Sequence, residues 1–271
     1  MWKDGESVMF RADGGWLEGK CHGPSPDTAP TIIMLHEGLG CVDLWRDFPR
    51  KLAEATRYGV FTYSRRGYGA SDPAELPRPV DYMTREAVEV LPEVLGAIGF
   101  TEGILLGHSD GASIAAIYAG SIQDHRVRGL VLMAPHFFTE PMGLAAIAKA
   151  REAYETGDLR ARLSKYHANV DNAFRGWNDA WLDPAFEDWN IEEVIAYIRV
   201  PVLAIQGVQD QYGTAAQIEA LQEQSYNPVD VAMLDDCGHA PFVEQPDRTL
   251  ALVTEFVERL DRIEAAEPET A

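Results

Sequence analysis

The sequence predicts an α/β protein: a mostly parallel, eight-stranded sheet flanked by helices, with a helical lid inserted after a late strand. Three observations predict it. Short continuous apolar runs recur along the chain, each bounded by glycine or proline, as strands buried on both faces of a parallel sheet require. Helix-length segments separate the runs. One long stretch, 136–198, breaks the alternation with helical segments and no convincing strand.

The first two strands form a hairpin, with Val8 and Phe10 on one side of the turn Asp13-Gly14-Gly15 and Trp16 and Leu17 on the other. Six apolar runs follow. Thr31 to Leu35 ends at His36-Glu37-Gly38-Leu39-Gly40, and Val60 to Tyr63 at Arg66-Gly67-Tyr68-Gly69. Gly103 to Leu106 runs into Gly107-His108-Ser109, and Gly129 to Met133 into Ala134-Pro135. Pro201 to Ile205 ends at Gln206-Gly207, and Val229 to Leu234 at Asp235-Asp236-Cys237-Gly238-His239. Helices are expected over Trp45 to Thr56, over Thr84 to Ile98 despite Pro92, and over the small-residue segment Ala112 to Ala119. A last helix, Arg248 to Ile263, would bury Leu250, Val253, Phe256, Leu260 and Ile263 on one face. The polar tail Ala265 to Ala271 is expected to fray.

Within 136–198, helical stretches at Leu144 to Tyr154, Asp158 to His167 and Ile191 to Ile198 flank an aromatic segment with Phe174, Trp177, Trp181, Phe186 and Trp189. We read this as a cap (136–198) on a core formed by 1–135 and 199–271. It would cover the carboxyl edge of the sheet, where open α/β sheets bind ligands. Ordinary outer helices with packed tryptophans are the alternative.

The formal net charge is −20 over 271 residues. Such a surface repels phosphate backbones and anionic lipid, which argues against nucleic-acid and membrane partners. No apolar stretch approaches the ~20 residues of a membrane-spanning helix, and Met1 to Glu6 lacks a secretory pattern. A cytoplasmic protein, monomeric or homodimeric, acting on a small molecule is expected. Cys21, Cys41 and Cys237 share no C-x-x-C spacing, so free thiols and no metal site are expected. Nothing implies a cofactor.

The chemistry centres on Gly107-His108-Ser109-Asp110-Gly111, a G-x-S-x-G pattern between a predicted strand and a predicted helix. The tight turn strains the serine backbone, excludes side chains at the flanking glycines and pushes the hydroxyl outward. A serine needs a base. Of the seven histidines, His239 follows the last predicted strand. The base needs an acid to hold its tautomer. Asp210, at the carboxyl end of the penultimate strand, is the first choice, and Glu140, after the preceding strand, is its rival. An oxyanion needs N–H donors, for which the backbone of Asp110 and of Gly38 are the candidates. Glu37 and Leu39 beside Gly38, together with Phe137, Trp177 and Trp181, are candidate substrate-binding residues.

From about Thr31 to Leu260 the chain resembles the α/β-hydrolase family. The family's H-G-x-x-G pattern stands here as His36-Glu37-Gly38-Leu39-Gly40, and its D-x-R-G-x-G-x-S turn as Ser64 to Ser71. The serine elbow, the acid Asp210 and the G-H-x-P-x-x-E-x-P motif around His239 follow in the family's order. Two positions depart from it: Glu37 replaces a glycine, placing a charge beside the site, and Ser64 replaces an aspartate, which concerns turn packing. The resemblance implies an α/β-hydrolase fold and a Ser109–His239–Asp210 triad. It also implies hydrolysis of a carboxylic ester or thioester of a small apolar or aromatic substrate through an acyl-enzyme. A C–C bond hydrolase or enol-lactonase using the same triad is the alternative, and a non-catalytic ligand receptor is the alternative of another class. Relatives that dehalogenate or open epoxides use an aspartate nucleophile, so Ser109 argues against both.

Overall fold

The sheet that organises the computed structural model, which describes residues 2–266, has eight strands in the order β1-β2-β4-β3-β5-β6-β7-β8. They are β1 (Ser7–Ala12), β2 (Gly15–His22), β3 (Thr31–Leu35), β4 (Gly59–Tyr63), β5 (Gly103–His108), β6 (Val127–Met133), β7 (Val202–Gly207) and β8 (Val229–Leu234). β2 pairs antiparallel with β1 and with β4, and all other neighbours are parallel. The predicted mostly parallel sheet is therefore present.

Side-chain alternation divides the core in two. Ile33, Leu35, Leu105, Leu130, Leu132 and Ala204 face one side. Ile32, Met34, Ile104, Leu106, Val131, Met133, Leu203 and Ile205 face the other. Both faces are covered, which is why these strands read as unbroken apolar runs rather than as alternating ones.

Ten α-helices occur among the described residues: α1 (Phe48–Thr56), α2 (Tyr82–Arg85), α3 (Leu91–Ile98), α4 (Asp110–Ser121), α5 (Pro141–Thr156), α6 (Leu159–Leu163), α7 (Val170–Trp181), α8 (Ala215–Gln224), α9 (Pro241–Glu244) and α10 (Pro246–Ala266). The expected helix from Trp45 begins later. A 3-10 turn, Val42–Trp45, ends where Arg46 takes φ +55°, and Pro49 then sits in the first turn of α1, where its missing N–H costs nothing. The segment expected as Thr84 to Ile98 is helical throughout. Its middle is a π turn (Glu86–Val90), which accommodates Pro92 where a regular turn would clash.

The buried stripe of α10 is Thr249, Val253, Phe256, Val257 and Leu260. Leu250 is only half-buried and Ile263 is exposed, which corrects the expected face: the stripe drifts round the helix and ends a turn before Ile263. Ala265 and Ala266 close α10, and the rest of the expected frayed tail lies outside the described residues.

Between β6 and β7 lie α5, α6, α7 and two 3-10 turns, Pro184–Phe186 and Glu192–Tyr197. The segment leaves and returns side by side: Ile191 N–H donates to the Phe137 carbonyl at 2.7 Å and Thr139 N–H to the Trp189 carbonyl at 3.0 Å. The aromatic stretch begins in the helix α7, whose first turn is capped by Asn169 accepting from Asn172 N–H, and continues past it through the turn Pro184–Phe186 to Trp189. The aromatics of the segment form two clusters. Tyr154 stacks on Phe174 at 3.7 Å, and Trp181, Phe186 and Trp189 pack together. No helix among the described residues is long and apolar enough to cross a membrane.

Candidate active site

Parallel strands bring their carboxyl ends to one edge, so the loops after β3, β5, β6, β7 and β8 converge there. Ser109 occupies the β5–α4 turn at φ +54°, ψ −120°, a strained conformation for a residue with a side chain. Its neighbours show why the turn needs glycine. A Cβ on Gly107 would lie 2.2 Å from the Gly111 carbonyl oxygen, and one on Gly111 would lie 2.0 Å from that of Leu35. Strand, serine and helix can approach this closely only without those side chains.

His239 Nδ1 stands 2.9 Å from each Asp210 oxygen. Asp210 Oδ1 also accepts from Tyr212 N–H at 2.8 Å, which locks the carboxylate. Burial would push the Asp210 carboxyl up, but the His239 hydrogen bond and charge outweigh it and hold the carboxyl below its ordinary range. Glu140, the rival acid, is engaged elsewhere. Its oxygens accept from Thr214 N–H, Thr214 Oγ1 and Gln217 Nε2 at 2.6–2.9 Å.

Ser109, His239, Gly38, Glu37, Leu39, Asp110, Trp177 and Trp181 all line one cavity of about 260 Å3. Phe137 does not. It is fully buried beneath the site, with its N–H bonded to Gln217 Oε1, so its expected place in the pocket wall is corrected: at the start of the segment it turns inward. Trp177 packs so closely on the loop after β3 that a Cβ on Gly38 would come within 2.1 Å of its indole. Trp181 Nε1 donates to Tyr82 Oη at 3.0 Å and to Asp110 Oδ1 at 3.3 Å, and Tyr82 Oη donates to Asp110 Oδ2. Glu37 Oε2 stands 3.4 Å from His108 Nδ1, and His108 Nε2 donates to the His239 carbonyl at 2.7 Å. Burial favours the neutral form of Glu37, but His108 and then His239 outweigh it and lower its pKa. Burial pushes the Cys41 thiol up to about 12 and the Cys237 thiol up to about 11, so neither competes as a nucleophile at neutral pH. Among the described residues no group of three or more His, Cys, Asp or Glu is placed to hold a metal ion.

Residues 32–252 match the alpha/beta hydrolase family. The chain belongs to that family. A 3-oxoadipate enol-lactonase of Acinetobacter baylyi is 25% identical over 254 residues, covering 87% of this chain and 91% of the relative. A pimeloyl-[acyl-carrier protein] methyl ester esterase of Photorhabdus laumondii is 24% identical over 269 residues, covering 87% and 95%. The crystal structure of a proline iminopeptidase from Mycobacterium smegmatis superposes with a TM-score of 0.73 at 19% identity, covering 96% and 100%, and shares the fold. Membership in this family supports hydrolase activity.

The cavity of this alpha/beta hydrolase also takes residues that the sequence does not mark as candidates, among them His108, His136 and Tyr212. Their rings surround that of His239 at centroid distances of 5.0, 5.8 and 4.7 Å. His108 and Tyr212 each adjoin a motif residue, which was the available signal. Ser64, where the family has aspartate, donates to Glu18 and accepts from Val42 N–H, a turn-packing role as expected.

The two tryptophans should respond differently to truncation. Trp181→Ala removes the indole donor to Asp110 Oδ1, leaving Tyr82 as the remaining side-chain donor, and empties a buried ring site, so it is expected to cost about 3–5 kcal/mol. Trp177→Ala opens the wall over Gly38 and is expected to shift chain-length preference with a smaller stability loss. Denaturant midpoints and specificity constants over a graded ester series test this, and identical profiles for the two variants would refute it.

Four buried histidines predict a pH response. Burial pushes His136 down to about 3, aided by His239, and burial likewise lowers His22, His36 and His167. The unfolded chain takes up protons at these rings near their ordinary value of 6.5, whereas the folded chain does not. Stability should be full above that value and fall as pH drops, by up to ~1.4 kcal/mol per unit for each ring. The urea midpoint should be lower at pH 5.5 than at 7.5, with a smaller difference in His136→Gln. Equal midpoints at both pH values would contradict this account.

Proposed function

We propose that this hydrolase cleaves a carboxylic ester or thioester of a small apolar or aromatic substrate through an acyl-enzyme on Ser109. The observation that carries the reading is one cavity lined jointly by the strained Ser109 and by His239 in its pair with Asp210. His239 Nε2 takes the Ser109 proton as Oγ bonds to the acyl carbon, and Asp210 steadies the imidazolium. The acyl oxygen, now negative, is received by the N–H groups of Gly38 and Asp110. Collapse breaks the bond to the alcohol or thiol, which leaves with the proton from His239. Water then repeats the sequence, releasing the acid and restoring Ser109. The 136–198 segment serves as the lid, with Trp177 and Trp181 as apolar walls.

A second reading, hydrolysis of an enol-lactone or activated C–C bond by the same residues, is favoured by the likeness to the 3-oxoadipate enol-lactonase. The cavity lining speaks for the ester. It includes Glu37, Glu140 and Glu244 but neither lysine nor arginine, so a substrate with a free carboxylate would find no counter-charge. The test is a panel of neutral esters, acyl thioesters, lactones and ring-cleavage diketones, with the site of fluorophosphonate labelling mapped by mass spectrometry. Ester or thioester turnover with the adduct on Ser109 is expected. An adduct on Ser71 or Ser113, or turnover of the diketones alone, would overturn the reading.

A further inference from the structure

Arg65 has no part in the scheme above, yet its side chain is wholly buried behind the site. It follows β4 and reaches under the loop after β3. Nη1 donates to the His36 carbonyl and Nη2 to the Glu37 carbonyl at 3.1 Å, while Nη2 also lies 3.9 Å from Asp110 Oδ2. The Glu37 carbonyl accepts further from His36 Nδ1 at 2.6 Å and from Gly40 N–H at 3.1 Å. Three donors therefore hold this one oxygen on the buried side.

The consequence follows from peptide geometry. The Glu37–Gly38 bond is trans, so its N–H points opposite to its C=O. With the carbonyl drawn toward Arg65, the Gly38 N–H is turned away from it, and Gly38 lines the cavity. No hydrogen-bond acceptor for that N–H occurs among the described residues. On its other flank Arg65 faces Asp110, the first residue of α4, whose backbone N–H is likewise without an intrahelical partner. The Asp110 carboxylate is pinned by Tyr82 and Trp181 as well. Burial would favour loss of the Arg65 proton, but Tyr68, Glu86, Asp110 and Tyr82 outweigh it, and the guanidinium stays charged.

We propose that Arg65 is the positioning residue of the oxyanion site: its guanidinium anchors both N–H-bearing segments and places a buried positive charge behind the acyl oxygen. The inference rests on the assignment of Ser109, Gly38 and Asp110 made under the proposed function. A merely structural Arg65, neutralising Asp110 and Glu86 in the core, would affect folding without selectively affecting the transition state.

The test uses three variants of the full chain. Arg65→Lys keeps a charge but lacks the fork that spans two carbonyls. Arg65→Met removes the charge. Arg65→Met/Asp110→Asn removes it without leaving a buried carboxylate unpaired. kcat and KM are measured on an ester the parent hydrolyses, together with affinity for an arylboronic acid, whose serine adduct carries a tetrahedral, negatively charged centre. Expected is a fall in kcat of about 10²–10³-fold with little change in KM, as for loss of an oxyanion donor, and a parallel fall in boronate affinity. Folded variants whose kcat and boronate affinity stay within about threefold of the parent would overturn the proposal. So would variants that lose only thermal stability while the folded fraction turns over normally. Ser109→Ala separates the two levels. If it retains turnover, the nucleophile assignment fails. If it is inactive while the Arg65 variants are normal, only the role of Arg65 fails.

Discussion

Ser109→Ala is expected to lower turnover by about 10⁶-fold, the order found when a triad nucleophile is removed, and to abolish fluorophosphonate labelling. Folding should be intact, because the alanine keeps the shape of the turn and the Ser109 N–H bond to the Met133 carbonyl at 2.9 Å is a backbone bond. The same residue carries a second expectation. Its backbone, at φ +54° and ψ −120°, is one that glycine adopts freely and residues with a Cβ adopt at a cost of ~1–3 kcal/mol. Ser109→Gly should therefore be inactive yet more stable than Ser109→Ala, despite the greater chain entropy that glycine loses on folding. Activity and strain would then be held at one position, the site trading stability for an outward hydroxyl. Measuring kcat and the urea midpoint for the parent and both variants settles it. Full activity in Ser109→Ala would remove the nucleophile assignment, and a Ser109→Gly variant less stable than Ser109→Ala would show that the turn is not strained.

The sheet was readable because burial on both faces turns each central strand into an uninterrupted apolar run, and glycine or proline marks each end. The site residues placed by motif were readable for a steric reason. Gly107, Gly111 and Gly38 each stand where a Cβ would collide with backbone or with Trp177, so the constraint is written in residue identity. The helix α7 carries a legible pattern: Asn169 precedes Val170, Ala173, Phe174, Trp177, Ala180 and Trp181, a helical stripe behind a capping residue. Phe137 turns inward, away from its expected place, because position after a strand gives the location of a residue and not the direction of its side chain. Arg65 could not be read at all. It touches carbonyls 28 and 29 residues away, and backbone acceptors leave no trace in side-chain sequence. The segment after β6 was recognised as helical, but nothing in its pattern foretold His167, which accepts from Gly69 N–H at 3.0 Å and donates to the Leu39 carbonyl at 3.1 Å, tying that segment to two core loops.

Asp210→Asn is expected to lower turnover by about 10⁴-fold, the scale of loss when the orienting carboxylate of a triad becomes an amide, whereas Glu140→Gln should change turnover by less than about threefold. The difference lies in what each carboxylate holds. Asp210 presents two oxygens to His239 Nδ1 at 2.9 Å, an arrangement that favours the proton on Nδ1 and so, in the proposed scheme, an unprotonated Nε2 as base. An asparagine can turn its NH2 toward the ring, placing the proton on Nε2 instead, and it offers no charge to the imidazolium. Glu140 touches no ring nitrogen. It clamps Thr214 at the start of α8 and Gln217 within it, and a glutamine keeps one acceptor oxygen while setting an amide against a donor. Its cost should appear as ~1 kcal/mol or more of stability, with the pH–rate profile unmoved. For Asp210→Asn the loss should appear in kcat across the whole pH range, since the imidazolium formed in the transition state has lost its partner charge. Both variants can be compared at matched folded fraction by kcat across pH 5–9. Should Glu140→Gln prove the severe variant and Asp210→Asn near normal, the acid of this site would be the one after β6.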